Sequence, residues 1–548
     1  MTGIEPSFNL IDSPWIPVLD RQGRLEDVSL LDCLARGDEF IQIVGEVPTQ
    51  VFAIQRLVLA VLHRAVQGPE DMAEWQEMRA DWPAVVDAVG EYLSSFRERF
   101  YLLHPTSPFY QVADLRSAKN ETSGLEKLII DVPNGAPFFT TRIGSGLNRI
   151  SFPEAARWLV HVHAFDPSGI KTGAVGDPRV KGGRGYPIGT GWAGRLGGVS
   201  AIGATLSETW QLNLIAPALV AITSGPNDRP PWERPQLTEK VEVGGTRPEP
   251  AGMVDLYTWQ SRRIRLVADT EGVTGVVLAQ GDPMSPHNRH DTEPMTAWRY
   301  SDPQTKKFGR DVYMPNEHDP ERSMWRGLAA LLPYAEAETT SKGVPRRLPP
   351  ALVRWLSEVR DADAVDGQRV VRLRATGMTY GPQSATAEAM VDDMLALPMS
   401  LLGQDAAELE TVVADQVRCT ERTAFAVASL AGNLAQAAGG SPDDRGPGNR
   451  AREQFYAAVD TPFREWLEHL TLTEPVLDAA ARWQRQARYH AEAVGADLVA
   501  AAGPAAWIGR TVRDRHIDAG KADVWFRPAL KKELPKAYAL EQETEGAA

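Results

Sequence analysis

The sequence predicts an α+β fold, with an irregular mixed N-terminal domain at residues 1–390 and a C-terminal four-helix bundle at residues 391–548. Two patterns predict it. Up to about residue 390, short apolar runs with the period of a strand alternate with helical stretches, whereas later apolar residues recur at spacings of three and four. The length of 548 residues agrees, because a typical domain has about 100–150 residues and two or three packed units are expected.

The mixed region contains recognisable strands and helices. Alternating apolar residues predict strands at 210–215, 264–267 and 369–373. Apolar residues on one helix face predict helices around 49–66 and 152–163. Helices and short strands mixed in this order favour an irregular α+β domain.

Proline and glycine mark the expected loops. The segment 225–251 is rich in proline and charge, which predicts a long surface excursion. The segment 439–449 contains enough glycine and proline to end any helix. We therefore expect a loop at each place.

The C-terminal third carries apolar stripes typical of amphipathic helices. The stripes are formed by Val413, Val417, Ala424, Val427 and Leu434, by Phe455, Val459, Phe463, Trp466 and Leu470, and by Leu477, Ala480, Trp483, Ala487, Val494 and Leu498. A fourth helix is expected after Pro504, because proline is tolerated in a first turn. Four such helices joined by short loops pack most simply as an antiparallel bundle.

Composition narrows the class of protein. The only two cysteines, Cys33 and Cys419, cannot form a disulfide framework or a four-thiolate zinc site, so we expect a reducing compartment. We also predict no metal and no cofactor. The printed N-terminus lacks the pattern of a signal peptide, and no run reaches the ~18 apolar residues of a membrane helix. The predicted location is the cytoplasm, without membrane contact.

The net charge of −14, from 58 basic and 72 acidic residues, argues against a protein that coats DNA alone. Two interpretations remain open. The chain has no contact with nucleic acid, or it contacts a short stretch while basic partners supply most of the electrostatic attraction.

The segment 168–203 is rich in glycine and locally basic. Its cations are Lys171, Arg179, Lys181, Arg184 and Arg195, against the single acid Asp177. Glycine allows backbone N–H groups to approach a ligand closely, and cations favour a ligand that bears phosphate. A flexible surface loop explains the same composition equally well.

Motifs for catalysis are weak. Gly189-x-Gly191-x-x-Gly194 matches a dinucleotide-binding pattern, but residues 186–188 are too short and proline-broken for the strand that should precede it. The sequence has no phosphate-binding G-x-x-x-x-G-K-[ST] loop. We predict no catalytic residue. A nucleotide-dependent enzyme that uses this glycine-rich segment is an alternative.

The histidines give no stronger indication of a catalytic or metal-binding site. His161 and His163 lie on an apolar helix end, where core packing is expected. His287, His290 and Asp291 have metal-binding side chains but no second cluster.

A row of arginines marks the expected bundle. Arg482, Arg485 and Arg488 recur every three residues, which keeps them on one broad helix face. Such a row is usually solvated surface. The alternative is a basic face that guides a nucleic-acid strand or an acidic partner.

Ordered landmarks along the chain resemble one family. The most specific are Phe8-Asn9-Leu10-Ile11-Asp12-Ser13-Pro14-Trp15 and the element Phe100-Tyr101-Leu102-x-His104 with Pro108-Phe109-x-Gln111. Weaker ones follow at 205–214, 259–266 and 376–384. In this order they resemble CasA, the large subunit of the type I-E CRISPR surveillance complex called Cascade.

The resemblance implies a binder rather than an enzyme. Its expected partners are the other Cascade subunits, the guide crRNA, double-stranded DNA carrying a protospacer-adjacent motif (PAM), and a helicase-nuclease effector. Its expected role is to recognise the PAM, help open the duplex beside it and recruit the effector. The alternative is a structural scaffold that only bridges other subunits.

The resemblance also implies site residues. The family's glycine loop corresponds to Gly169, Ile170, Lys171, Thr172 and Gly173, and its glutamine wedge to Gln383 beside Pro382, on a turn expected to precede a helix. A loop toward the guide RNA and the neighbouring subunit corresponds to Phe138, Phe139, Thr140 and Arg142.

The family's lysine finger has no counterpart, because Glu271-Gly272 stands at its position. Lys306 or Lys307 is the expected substitute. The four-cysteine zinc site of some members is also absent from this sequence, which has only two cysteines.

Overall fold

The computed structural model describes residues 8–132, 142, 148–240, 249–336 and 338–539. The described residues mix helices with several small sheets and end in a helical bundle, which confirms the predicted α+β class. They form two compact units. The first draws on 1–322, 337–364 and 371–394, and the second on 323–336, 365–370 and 395–548.

The helices, in chain order, are α1 Leu30–Ala35, α2 Pro48–Val66, α3 Met72–Ala80, α4 Trp82–Ser95, α5 Phe152–Phe165, α6 Leu206–Asn213, α7 Met253–Tyr257, α8 Asp302–Phe308, α9 Ala351–Asp361, α10 Ala407–Ala438, α11 Gly446–Glu468, α12 Val476–Ala500, α13 Pro504–Ile508 and α14 Ala519–Glu533. The expected helices around 49–66 and 152–163 are α2 and α5.

The strands are β1 Ile16–Asp20, β2 Leu25–Val28, β3 Phe40–Ile43, β4 Lys171–Thr172, β5 Arg184–Gly185, β6 Gly198–Ile202, β7 Arg262–Ala268, β8 Val273–Gln280, β9 Trp298–Tyr300, β10 Tyr313–Pro315, β11 Arg347–Leu348, β12 Val370–Tyr380, β13 Ala387–Pro398, β14 Arg510–Val512 and β15 Arg515–Ile517. Three sheets have three strands, in the orders β2-β1-β3, β10-β9-β11 and β13-β12-β6, and three hairpins pair β4 with β5, β7 with β8 and β14 with β15.

The core of the first unit is built around α2, which is buried on nearly every face. Helices α4, α5 and α7 pack against it. A helix this apolar all round is stable only inside a protein, surrounded by other elements. It therefore fixes the position of α5, whose C-terminal end leads into the glycine-rich segment.

One predicted strand is wrong. Residues 210–215 lie mostly in helix α6, which begins after the N-cap Thr205. The Thr205 hydroxyl accepts from the Glu208 backbone N–H at 3.2 Å, and the Glu208 carboxylate accepts from the Ala204 N–H at 2.6 Å. These two hydrogen bonds cap the start of a helix, which here overrides six residues of strand-like alternation.

The second unit is organised around α10, which contacts α11, α12 and α14. All of the predicted stripe residues on α10 are buried, as are those on α11 and its end. On α12 the prediction is partly wrong, because Leu477 is 63% exposed and the buried face continues through Ala491 and Gly495. A Cβ at Gly495 would stand 2.5 Å from Cε1 of Phe526, so glycine permits this close approach of α14.

The fourth bundle helix starts later than expected. Pro504 opens only the five-residue α13, and the hairpin β14–β15 follows it. The long helix α14 begins after Asp518, whose carboxylate accepts from the Lys521 backbone N–H at 2.8 Å. A carboxylate N-cap fixes a helix start better than a proline alone does.

Half of the expected surface excursion at 225–251 is packed instead. Trp232 is only 2% exposed, and its indole N–H donates to the Tyr92 hydroxyl at 2.7 Å. Glu233 pairs with Arg64 at 2.7 Å. The tryptophan and its polar neighbours hold a proline-rich segment against the first unit; residues 241–248 lie outside the described residues.

Candidate nucleic-acid interface

Two predicted site segments that lie more than 200 residues apart meet in the first unit. A cleft is lined by parts of 126–132, by the end of α5 with the loop up to Lys171, and by 385–387. The last segment belongs to the hairpin of β12 and β13 that carries Gln383. The fold therefore brings the predicted glycine loop and the predicted glutamine hairpin to one cleft.

A buried charge cluster holds the glycine loop. Asp166, directly after α5, accepts from Lys171 Nζ at 2.7 Å and from Arg262 Nε at 2.5 Å. Arg262 also donates to the carbonyl oxygens of Pro167 at 3.1 Å and Gly189 at 2.8 Å. The guanidinium thus joins residues 166–167, directly after α5, to Gly189 of the glycine-rich segment, as a planar group with five donors can.

The ionisation of this cluster follows from its burial. Burial favours the neutral carboxylic acid, but the nearby charges of Lys171 and Arg262 hold the pKa of Asp166 below its usual value. Burial lowers the pKa of Lys171, and the carboxylate of Asp166 opposes this effect. In this structure the Lys171 ammonium is paired inside the cleft and its side chain is only 12% exposed.

The loop presents its backbone on the outer side. Gly169 has a φ of +142°, with nothing within 4 Å of the place where a Cβ would stand. Its carbonyl accepts from Gln280 Nε2 at 2.8 Å, which holds it in place. Ile170 is 55% exposed, whereas Thr172 is half-buried and Gly173 is buried. The open part of the predicted glycine loop is therefore Gly169-Ile170.

The predicted wedge stands at the tip of a hairpin. Pro382 and Gln383 are exposed between β12 and β13, and the Gly381 N–H donates to the Thr386 carbonyl at 2.9 Å. Gln383 has a φ of 58°, in the left-handed region. The expectation that this turn precedes a helix is wrong, because β13 continues the hairpin.

Tyr380 ties this hairpin to the helix beneath it. Its hydroxyl donates to the Phe165 carbonyl at 2.6 Å, at the last residue of α5. Phe165 directly precedes Asp166, so the hairpin and the glycine loop share one support. Pre-organisation of this kind reduces the entropy lost when a ligand binds.

The glycines of the apparent dinucleotide motif have structural roles. A Cβ at Gly191 would stand 2.4 Å from the backbone of Ala164, and one at Gly194 would stand 2.2 Å from the Tyr380 hydroxyl oxygen. A short 3-10 turn and then β6 follow the motif, where a dinucleotide site requires a helix. These glycines allow close packing.

The predicted guide-RNA loop is described only in part. Phe138, Phe139 and Thr140 lie outside the described residues. Arg142 is described: it pairs with Asp131 at 3.6 Å and with Glu154, and its guanidinium lies 5.8 Å from the ring centre of Trp158.

The arginine row on α12 is largely paired within the bundle. Arg482 pairs with Glu474 at 2.6 Å, and Arg488 with Glu492 at 2.8 Å. Arg485 is exposed. The net positive charge of this face is therefore smaller than the sequence suggests.

The histidines and the residues considered for the lysine finger have the following surroundings. His161 and His163 are buried in the core, as expected. His287 contacts the Ser285 hydroxyl at 2.7 Å, and the described residues contain no group of three or more potential metal ligands of the His, Cys, Asp or Glu type. Glu271 pairs with Arg149, while Lys306 and Lys307 are exposed at the end of α8.

The sequence reasoning missed Asp166 and Arg262. Asp166 stands two residues before the glycine-rich segment, and Arg262 begins β7, where a charged residue at the start of an apolar strand is the only signal.

Among the described helices, none is long and apolar enough to cross a membrane.

The fold and the cleft define a class: an α+β protein with a helical bundle in its second unit and, in its first unit, a cleft that two predicted site segments help to line. Residues 9–494 match the family model described as CRISPR-associated protein Cse1. The chain belongs to this Cse1 family, also called CasA.

Three similar proteins illustrate the match. CasA/Cse1 of Thermus thermophilus is 32% identical over 335 residues, which span 60% of this chain and 60% of that protein. The crystal structure of Thermobifida fusca Cse1 is 44% identical, with a TM-score of 0.90, and the match covers 98% of this chain and 100% of that one. A chain of a CRISPR RNA-guided surveillance complex is 20% identical, with a TM-score of 0.66 over 90% of this chain and 99% of that one, and shares the fold.

Proposed function

We propose that this chain is the non-catalytic large subunit of a type I-E Cascade complex. In this proposal it recognises the PAM in double-stranded DNA, helps to start duplex unwinding, and recruits the helicase-nuclease. Its partners are the other Cascade subunits, the crRNA and the PAM-containing duplex, inside the cytoplasm.

The observation that carries the proposal is the meeting of two exposed loops at one cleft. Gly169-Ile170 offers open backbone, and Pro382-Gln383 offers an amide at a hairpin tip. Open backbone can approach base edges closely, and an inserted side chain can occupy the space left when a base step is unstacked. Both loops are supported from the end of α5, so together they suit a duplex end better than a small molecule.

The acidic composition agrees with a role inside a larger complex. A net charge of −14 does not attract a long DNA, so basic partners must hold the guide RNA and the target strand. Only a short stretch of duplex then needs to contact this chain.

A scaffold that only bridges other subunits is the second candidate. It is favoured by large apolar side chains exposed on the second unit, among them Phe425, Tyr489, Trp507 and Ile508. Such residues are enriched at protein interfaces.

The test reconstitutes the complex from its co-expressed subunits and crRNA, with and without this chain, and measures binding to PAM and non-PAM duplexes. We expect the complex without the chain to retain the crRNA and the other subunits but to lose the preference for the PAM duplex. Unchanged PAM-duplex affinity without the chain would contradict the proposal. Failure of the other subunits to assemble would favour the scaffold.

A further inference from the structure

The segment that connects β4 to β5 ends in a tight basic turn, Lys181-Gly182-Gly183-Arg184, whose last residue begins β5. Lys181 and Arg184 exchange two backbone hydrogen bonds, each of 3.1 Å. Gly182 and Gly183 have φ values of +58° and +73°, which a two-residue hairpin turn of this type requires. The turn therefore has one preferred shape and carries a cation on each side.

The hairpin is held firmly behind this turn. The Gly173 N–H donates to the Gly183 carbonyl at 3.1 Å, and a Cβ at Gly173 would stand only 2.5 Å from that oxygen. Ala174 packs in a small apolar cluster with Val277 and Ala279. The turn is thus a fixed projection of the first unit.

The two cations at the turn differ from the other cations of the segment. Lys171 is paired with Asp166, and Arg179 with Asp177 at 2.9 Å. Lys181 and Arg184 are exposed, and within the described part of the chain neither side chain forms an ion pair. The nearby carboxylates are Asp177, already paired, and Glu239, which lies against Gly176.

The strand register places this turn next to the cleft. Lys171, which lines the cleft, pairs with Gly185, and Thr172 pairs with Arg184. Successive residues in a strand are about 3.4 Å apart, so the turn extends from the cleft by only two or three residues. Lys181 and Arg184 form a hydrogen-bonded pair, whose Cα atoms are about 5.5 Å apart, so their side chains can reach two neighbouring phosphates.

We propose that Lys181 and Arg184 bind consecutive backbone phosphates of the duplex whose end occupies the cleft. This inference rests on the proposed function and adds to it a phosphate-binding element outside the glycine loop and the glutamine hairpin. The paired glycines allow the DNA backbone to approach the turn without side-chain obstruction. Such contacts fix the position of the duplex and carry no sequence preference of their own.

The test uses the reconstituted complex with the full-length double variant K181A/R184A. The matched control is K342A/R347A, which removes the same charge from exposed positions on and beside the separate β10-β9-β11 sheet. Affinity for PAM and non-PAM duplexes is measured across a range of salt concentrations, and thermal melting checks that both variants fold.

We expect K181A/R184A to lower the affinity of the complex for both duplexes by the same factor. The slope of log affinity against log salt should become shallower by about 2. Its deficit relative to wild type then shrinks about tenfold between ~50 and ~200 mM salt, whereas the control keeps the wild-type slope. If K181A/R184A has the same salt slope and affinity as the wild type, this inference is overturned, while a PAM preference of the wild-type complex still supports the proposed function. If the wild-type complex shows no preference for the PAM duplex, the proposed function is overturned instead.

Discussion

At the scale of single residues, two of the buried charge clusters in the first unit show what the burial of a carboxylate requires. One is Asp166 with Lys171 and Arg262 at the cleft. The other is Arg56 with Glu293, which are 2% and 0% exposed. Each carboxylate accepts at least two hydrogen bonds, which offset the loss of water on burial.

The Arg56–Glu293 pair gives the clearest test of this principle. Two parallel hydrogen bonds of 2.9 and 2.7 Å join the side chains, and Glu293 also accepts from the Trp192 indole at 2.7 Å. We expect Arg56→Ala to lower the free energy of unfolding by about 3–5 kcal/mol, because it leaves a buried carboxylate without its cation.

The control is Arg36→Ala. Arg36 pairs with Glu26 at 2.5 Å and Glu39 at 2.8 Å, but it is 36% exposed. Denaturant unfolding of this variant should show a loss of about 1 kcal/mol or less. Equal losses in the two variants would contradict the role assigned to burial.

Sequence reasoning reaches residues of this kind only in part. The glycine-rich segment and Gln383 follow from composition and resemblance; Lys171 of the first and residues 385–387, in the hairpin of the second, line the cleft. Asp166 and Arg262 were not, because a single charged residue beside an apolar strand is usually solvated. The burial of Asp166 and its pairing with Arg262, nearly 100 residues away, depend on the tertiary structure and cannot be predicted from a local pattern.

At the scale of elements, a carboxyl group near the start of α10 fastens the segment 323–336 within the second unit. Glu410 is fully buried, and its Oε2 accepts from the Tyr334 backbone N–H at 2.6 Å. Its Oε1 has no hydrogen-bond partner among the described residues. Burial raises the pKa of Glu410 to about 8, although the two backbone donors in 334–335 oppose the shift.

This raised pKa predicts a pH-dependent stability. The folded state keeps a proton that the unfolded chain releases above its ordinary pKa of 4.5. The contribution of Glu410 to stability is therefore greatest below that value and falls until pH passes about 8. The contribution of this one group is at most about 1.4 kcal/mol per pH unit.

Glu410→Gln should remove this contribution, since an amide resembles the protonated acid and can still accept from Tyr334. Thermal melting across pH 5 to 9 covers most of the interval between the ordinary pKa of 4.5 and the raised pKa of about 8. The melting temperature of the variant should rise relative to that of the wild type up to about pH 8 and stay level above it. Parallel curves for the two proteins would show that Glu410 does not titrate there.

Element boundaries show where local signals compete. The alternation at 210–215 predicts a strand, but the capping residues Thr205 and Glu208 start helix α6 there. Pro504 predicts the fourth bundle helix, but it opens only α13, and the long helix α14 starts at its N-cap Asp518. In both places a capping side chain is the stronger local signal.

At the scale of the whole molecule, the α+β class and the helical bundle followed from periodicity and are confirmed. The meeting of the glycine loop with the glutamine hairpin could not follow from it. That meeting depends on Tyr380 reaching the end of α5, a contact between residues 215 positions apart. The boundary near residue 390 as a limit of independent folding stays a prediction.

The central claim is that the cleft binds a PAM duplex and that Gln383 contacts the first base step of this duplex. The substitution Gln383→Gly tests it most directly. Glycine removes the amide and tolerates the φ of 58°, so the hairpin keeps its shape. Gln383→Asn is the control that keeps an amide and also tolerates this backbone conformation.

The measurement is the affinity of the reconstituted complex for a PAM duplex, with thermal melting of each variant alongside. The account predicts that Gln383→Gly melts like the wild type but binds about ten- to a hundredfold more weakly, with a smaller loss in Gln383→Asn. Wild-type affinity in the glycine variant would contradict the account.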